Sequence, residues 1–184
     1  STKEEALSKA LSIIEKGAVI ASGGSATIEE VGLLNYIKTH SEEYTFIDRS
    51  IAKNEEEKRQ IHAKAILSDY YLMSTNAFTM DGQLVNIDGN GNRVSALCYG
   101  PKHVVIITGM NKLTPSVEDA YKRIRQDACP PNCVRLGLPT PCSKTGVCGD
   151  CMSASSICDL FVTTRMSRYP DRIHIIMVGE ELGY

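Results

Sequence analysis

No apolar run in this 184-residue chain is long enough to span a bilayer, and no charged-then-apolar leader opens it. Charge of one sign is missing too: 20 Lys and Arg stand against 22 Asp and Glu, a net charge of −2. A broad nucleic-acid-binding face is therefore not expected. The chain has no internal repeat, low-complexity tract or linker. It also lacks a recognisable catalytic dyad. His40, His62, His103 and His174 are scattered, and none accompanies a Ser or Cys nucleophile motif. Glu29-Glu30 reads as helix capping and a complement to the helix dipole.

Cysteine is what the chain does have, seven in all. Without a secretion signal, that number points to a reducing compartment, the cytoplasm, where thiols bind metal or stay free. Four of them, Cys142, Cys148, Cys151 and Cys158, are spaced C-x5-C-x2-C-x6-C in a loop of Ser, Thr, Gly, Lys and Asp. Four thiolates suffice to close a tetrahedral zinc site or to hold an iron–sulfur cluster. The spacing is neither a zinc ribbon nor a ferredoxin, so the metal is open, and free thiols or a disulfide remain the alternative. In Cys129-Pro-Pro-Asn-Cys133 the prolines read as a helix break, with the two cysteines as candidate additional ligands.

At 184 residues one domain with a sizeable core is expected. Thr2 to Lys16 reads as a helix with a Thr2–Glu5 capping box, and Ala18 to Ser22 as a buried strand. A helix from Ile28 to Thr39 follows, with Thr27 and Glu30 as its capping box. Tyr44 to Arg49 is a strand, Asn54 to Leu67 a helix and Tyr70 to Thr75 a strand. Gln83 to Ile87 is a short strand, Arg93 to Tyr99 a short helix and His103 to Gly109 a β-branched strand. Ser116 to Ala128 is the last helix. Asp159 to Arg165 and Arg172 to Val178 are read as strands of an antiparallel hairpin around Tyr169-Pro170-Asp171. Continuous apolar strands with interposed helices predict a three-layer α/β/α fold around a mostly parallel sheet.

In such folds ligands bind at the carboxyl ends of strands. Gly23, Gly24, Ser25 and Thr27 lie between a strand and a helix, where glycines allow close backbone approach and helical N–H groups face an anion. A plain tight turn is the alternative. Asn86, Asp88, Gly89, Asn90, Gly91, Asn92 and Arg93 offer amides, a carboxylate and a guanidinium ahead of a short helix, or else form a hairpin turn. Asn76, Asp48-Arg49 and Asn111-Lys112 end other strands, and Lys112 would supply a point charge for phosphate or carboxylate.

The segments GGSATIEEVGLL, STNAFTMDGQLVNIDGNGNRVSALCYGPKHVVIITGMNKL, RLGLPTPCSKTGVCGDC and IIMVGEELGY resemble the LUD-domain family, named for lactate utilisation proteins. The likeness covers nearly the whole chain and is nearest to a stand-alone branch that carries the cysteine loop. It implies the fold of ribose-phosphate isomerases and coenzyme A transferases, and about two further elements ahead of Thr2. A deeper likeness to methylthioribose-phosphate isomerases and initiation-factor relatives places Asn76-Ala77, Asp81-Gly82, Asn86 and Gly89-Asn90-Gly91 in the order of a sugar-phosphate site. Asn76 stands where those enzymes have Asp, and an amide cannot take a proton.

The expected function is binding of a small anionic metabolite, a carboxylate or phosphorylated compound, beside a four-cysteine metal or iron–sulfur centre. A redox cluster would bring redox partner proteins and hydroxyacid oxidation with it. An isomerase or transferase with a structural cysteine loop and a non-catalytic ligand sensor are the alternatives. Neither nucleic acid nor membrane is an expected partner, and homo-oligomerisation is left open.

Overall fold

In the computed structural model, which describes residues 1–184, the chain starts with the predicted capping box. The Glu5 amide donates to Thr2 Oγ1 at 3.3 Å and the Thr2 amide to Glu5 Oε2 at 3.0 Å, opening α1 (Lys3–Ile13). There follow β1 (Val19–Ser22), α2 (Ala26–Glu30), α3 (Leu33–Thr39), β2 (Thr45–Ile47), α4 (Glu55–Ile66) and β3 (Tyr70–Met73). Next come β4 (Ala77–Thr79), β5 (Leu84–Asp88), α5 (Asn92–Cys98), β6 (His103–Gly109) and β7 (Leu113–Thr114). The chain closes with α6 (Val117–Arg123), α7 (Cys129–Arg135), α8 (Pro141–Thr145), β8 (Leu160–Thr164) and β9 (Ile173–Val178).

Internal contacts divide the chain into two units where the sequence reading has one domain. The first takes Ser1–Ser74, Asn92–Met110 and Ser167–Gly183; the second takes Thr75–Gly91, Asn111–Met166 and Tyr184.

The first unit is built on a five-stranded parallel sheet in the order β2-β1-β3-β6-β9. Ile20, Leu72, Val105, Ile107 and Val178 point to one face, where they pack with Ala6 and Ala10 of α1, Ile28 of α2, and Leu33 and Ile37 of α3. Their neighbours of opposite parity, Tyr71, Met73, Val104 and Ile106, are buried as well, so both faces are covered. Each such fully buried aliphatic side chain contributes about 1.5–3 kcal/mol. The expected α/β fold with a mostly parallel sheet flanked by helices is what forms. Asp69 ties the strands' entrances together, accepting from the Val19 amide at 2.9 Å and from Lys102 Nζ at 2.6 Å.

Two local expectations in this unit change. The helix expected over residues 28–39 is two helices separated at Val31-Gly32, and Ser25, not a Thr27–Glu30 box, caps the first. Thr27 is buried and its hydroxyl donates to the Leu182 carbonyl at 3.3 Å. Asp48 caps a 3-10 turn at Arg49–Ile51 through the Ser50 amide and accepts from Lys38 Nζ at 2.7 Å. The Lys38 hydrogen bond, foremost, lowers the Asp48 pKa to about 2. The folded value lies below the unfolded one, so this stabilisation is present above about pH 4 and is lost as pH falls through about 2. Asp48→Asn should flatten that part of the acid limb in urea midpoints read against pH. The effect stays below ~1 kcal/mol because the pair is half-exposed, and an acid limb identical to wild type would contradict it.

The second unit holds a four-stranded sheet, β7-β4-β5-β8, with β4 and β8 antiparallel to β5 and β7 parallel to β4. Ala77, Val85 and Ile87 pack under Ala120, Ile124, Ala128 and Cys129. The antiparallel hairpin expected at the C-terminus does not form. β8 pairs with β5 (Leu84 opposite Thr164), whereas β9 runs parallel to β6 (Val104 opposite Ile173). The Tyr169-Pro170-Asp171 segment therefore links strands of different sheets. The β-branched run of β6 accepts a parallel partner over its whole length, which a two-stranded hairpin would leave half-paired.

The helix break expected at Cys129–Cys133 is absent too. A π-helical turn, Ile124–Ala128, carries α6 into α7, and Pro130-Pro131 lie in the first turn of α7. Proline lacks only an N–H that a first turn leaves unused, so it starts a helix where it would break an interior.

Candidate functional site

The Gly23-Gly24-Ser25 turn leaves β1 under two arginines and a tyrosine. A Cβ on Gly24 would lie 2.7 Å from Arg49 Nη2, and one on Gly23 would lie 3.2 Å from Arg93 Cγ and 3.3 Å from Tyr71 Oη. Only glycine lets side chains rest on the backbone so closely. Arg93, in the first turn of α5, donates from Nη1 to the Ser74 carbonyl at 3.3 Å. Arg49 is exposed and enters none of the unit's ion pairs. Ser25 accepts from the Ile28 amide at 3.3 Å, which orders the turn. Of the residues expected to bind ligand, Gly23, Gly24, Ser25, Thr27, Asn92 and Arg93 belong to this unit.

Asn76, Asn86, Asp88, Gly89, Asn90, Gly91, Asn111 and Lys112 belong to the other. There the Asn76 and Asn86 amides are used for construction. Asn86 Oδ1 accepts from the Asn76 amide at 3.2 Å, and Asn76 Oδ1 accepts from the Ile87 amide at 3.1 Å. The Asn76 carbonyl accepts from Arg123 Nη1 at 2.6 Å. Asp88 ends β5 and takes the Gly91 amide at 2.9 Å, so the Asp-Gly-Asn-Gly run is a strand-to-helix turn, not a hairpin. Lys112, expected as an accessible point charge, is buried, and Asn111 is half-buried. Asn90 is exposed at the turn's tip.

This turn and the end of the cysteine loop meet. The Asp159 amide donates to the Asp88 carbonyl at 3.1 Å. A Cβ on Gly89 would lie 3.0 Å from Ile157 Cα, and one on Gly91 would lie 2.8 Å from Leu160 Cδ1. The structure thus brings Asp88, Gly89 and Gly91 alongside the segment that carries Cys158.

All seven cysteines are free thiols. The four of the loop do not gather on their own. Cys158 Sγ lies 3.4 Å from Cys129 Sγ, and Cys142 Sγ shares a hydrogen bond with Thr140 Oγ1 at 3.3 Å. Cys148 Sγ accepts from Arg125 Nε at 3.5 Å, while Arg125 Nη2 holds Asp150 at 2.6 Å. Cys151 takes no part in these contacts. No three His, Cys, Asp or Glu side chains are gathered as they would be around a metal ion. The donors themselves, reduced sulfur in a half-buried cluster, suit a soft metal.

The hydrogen bond with Cys158, then burial, raises the Cys129 thiol far above its ordinary value, while the same hydrogen bond lowers Cys158. Burial, chiefly, pushes Cys133 up to about 11. The sequence offers Cys129 and Cys133 only as candidate additional ligands beside an expected helix break. Their i, i+4 spacing was the available signal. Arg125 carried no signal, because its role comes from a loop that folds back across its helix.

A family model described as the LUD domain matches residues 1–178. No curated protein matches the chain. Among solved structures, the chain is similar to a DUF162 family protein from Deinococcus radiodurans, with 15% identity, 97% of this chain and 85% of that chain covered, and a TM-score of 0.48. It is also similar to eIF2B delta from Chaetomium thermophilum, at 13% identity, 65% and 50% coverage and a TM-score of 0.41. For ribose 5-phosphate isomerase from Plasmodium falciparum the values are 16%, 61% and 52%, and 0.38. No helix of the chain is long and apolar enough to cross a membrane. With the family model covering both units through the end of the last strand, the chain belongs to the LUD-domain family.

Proposed function

We propose that this LUD-domain protein binds a small anionic metabolite, a carboxylate or a phosphorylated compound, at the Gly23-Gly24-Ser25 turn. In the same reading the cysteines of the second unit hold zinc or an iron–sulfur cluster. The observation that carries the anion site is the Arg49 guanidinium lying against the Gly24 backbone, exposed and outside every ion pair of its unit. A planar guanidinium beside an open backbone suits the forked oxygens of a carboxylate or phosphate. The metal reading is supported by six reduced cysteines in one unit, two of which, Cys129 and Cys158, are in contact. Lactate utilisation gives the family its name, and oxidising a 2-hydroxy acid requires two electrons to be carried away. An iron–sulfur centre passing them to a redox partner protein meets that need, so hydroxyacid oxidation is the reaction class proposed with a cluster.

Thermal-shift titrations of the full chain with inorganic phosphate and with L-lactate test the anion site. Arg49→Gln removes an exposed side chain, so the fold should survive while affinity for the stabilising anion drops about tenfold, ~1.4 kcal/mol. Equal affinity in the variant, or no shift with either anion, would remove the proposed site. Iron and zinc content after anaerobic purification tests the metal reading separately, and a chain with neither would leave only free thiols.

A further inference from the structure

We infer that the ligands of the centre are Cys129, Cys133, Cys142 and Cys158, two from a single helix and two from the loop. This rests on the reading above that the second unit holds a thiophilic metal, and it names the residues that hold it. The loop's own C-x2-C step, Cys148 and Cys151, falls outside the set.

Helix geometry supplies half of the argument. Cys129 and Cys133 stand at i and i+4 on α7 and are both buried, so their sulfurs leave the same face one turn apart. Cys129 already touches a loop cysteine, its Sγ 3.4 Å from Cys158 Sγ. Cys142 is buried on α8, which packs against the α7 helix that carries Cys133.

Distance supplies the other half. Zn–S bonds of about 2.3 Å in a tetrahedron set neighbouring sulfurs roughly 3.8 Å apart. The Cys129–Cys158 separation of 3.4 Å is already on the scale of that edge. A [4Fe–4S] cluster binds each thiolate to a different iron, further apart than this, whereas a [2Fe–2S] centre, like zinc, places two thiolates on one metal. What remains for a metal to bring about is the approach of Cys133 and Cys142 to the Cys129–Cys158 pair, since no three side chains yet surround a common point. Binding replaces the S–H protons, and each is released to solvent as its sulfur takes up the metal.

Cys148 and Cys151 are placed for something else. Cys148 accepts from Arg125, whose other arm is held by Asp150, and Cys151 has no thiol neighbour in contact. These two sit on the 147–153 stretch, which has no helix or strand and is largely exposed.

The test uses the reduced, metal-free full chain and Zn2+ alone, with alkylation by iodoacetamide followed by peptide mass spectrometry. One bound zinc should protect Cys129, Cys133, Cys142 and Cys158 and leave Cys98 and Cys151 reactive. Cys129→Ser and Cys133→Ser should each lower zinc affinity by more than the ~100-fold lost with a supporting residue, while Cys151→Ser leaves it unchanged. Circular dichroism checks that the buried variants fold, and the protection map of the wild-type chain decides the matter if they do not. Protection of Cys142, Cys148, Cys151 and Cys158, with Cys129 and Cys133 still reactive, overturns this ligand set but leaves the metal reading intact. Failure of the wild-type chain to bind zinc, with no iron found on purification either, overturns both.

Discussion

Replacing Gly100 by Ala should unfold the first unit more readily than any other single methyl group added to it. Gly100 turns the chain from α5 into β6 at φ +124°, a region closed to residues with a side chain. The added Cβ would lie 2.5 Å from Ile66 Cγ2 and 2.6 Å from the Ile66 carbonyl oxygen at the end of α4. The first of those atoms could swing away, but the second is backbone. Strain and overpacking each cost about 1–3 kcal/mol, so the loss should be about 3 kcal/mol or more. For a chain of this size that corresponds to a fall in Tm of roughly 6–12 °C. Urea denaturation and calorimetry on the variant check it, and a loss below about 1 kcal/mol would mean that the α4 end yields freely.

Arg172→Met should be nearly as damaging, for an electrostatic reason. Arg172 is buried, and its guanidinium donates to the Ala96 and Leu97 carbonyls at 2.7 Å each and to the Pro101 carbonyl at 3.2 Å. The first two are among the last carbonyls of α5, where the helix dipole favours a cation. Methionine has similar length and apolar character but leaves three carbonyls without their donor. Hydrogen bonds to charged groups contribute about 1.5–3 kcal/mol each, and they do not add fully, so about 3 kcal/mol or more is expected. Arg172→Lys should fall between the two, because an ammonium cannot span three acceptors in a plane. Because α5 also carries Arg93 in its first turn, the methionine variant should loosen the surroundings of Gly23 as well. Equal denaturation midpoints for wild type and Arg172→Met would show that the α5 carbonyls are satisfied in other ways.

Elements with local causes were legible in the sequence. The Thr2–Glu5 box needs residues three apart and nothing else, and it forms as read. At α4 Asn54 accepts from the Glu57 amide, but the Glu57 carboxylate takes the Lys53 amide, so the cap forms without the box. The parallel sheet announced itself through runs such as HVVIITG, apolar on both faces because both are covered. The larger errors fell where partners are distant in sequence, though the local Thr27–Glu30 box also failed to form. A strand's own residues do not say which edge it will join, so β8 and β9 looked like a hairpin until β5 and β6 were seen to claim them. The prolines of Cys129–Cys133 carry the same message whether they end one helix or begin another, and only the π-helical turn before them decides which. The site shows the same division. Glycine at positions 23 and 24 signals close approach, but not that Arg49 and Arg93 are what approach.

Family membership, fold class and the abundance of reduced sulfur were all contained in the order of residues, because motif, periodicity and composition are properties of neighbours along the chain. Which sulfurs face one another was settled only by folding: Cys129 and Cys158 lie 29 residues apart and meet through a helix that had to continue past two prolines. Contacts across such separations depend on how whole elements pack, and no local pattern encodes that packing.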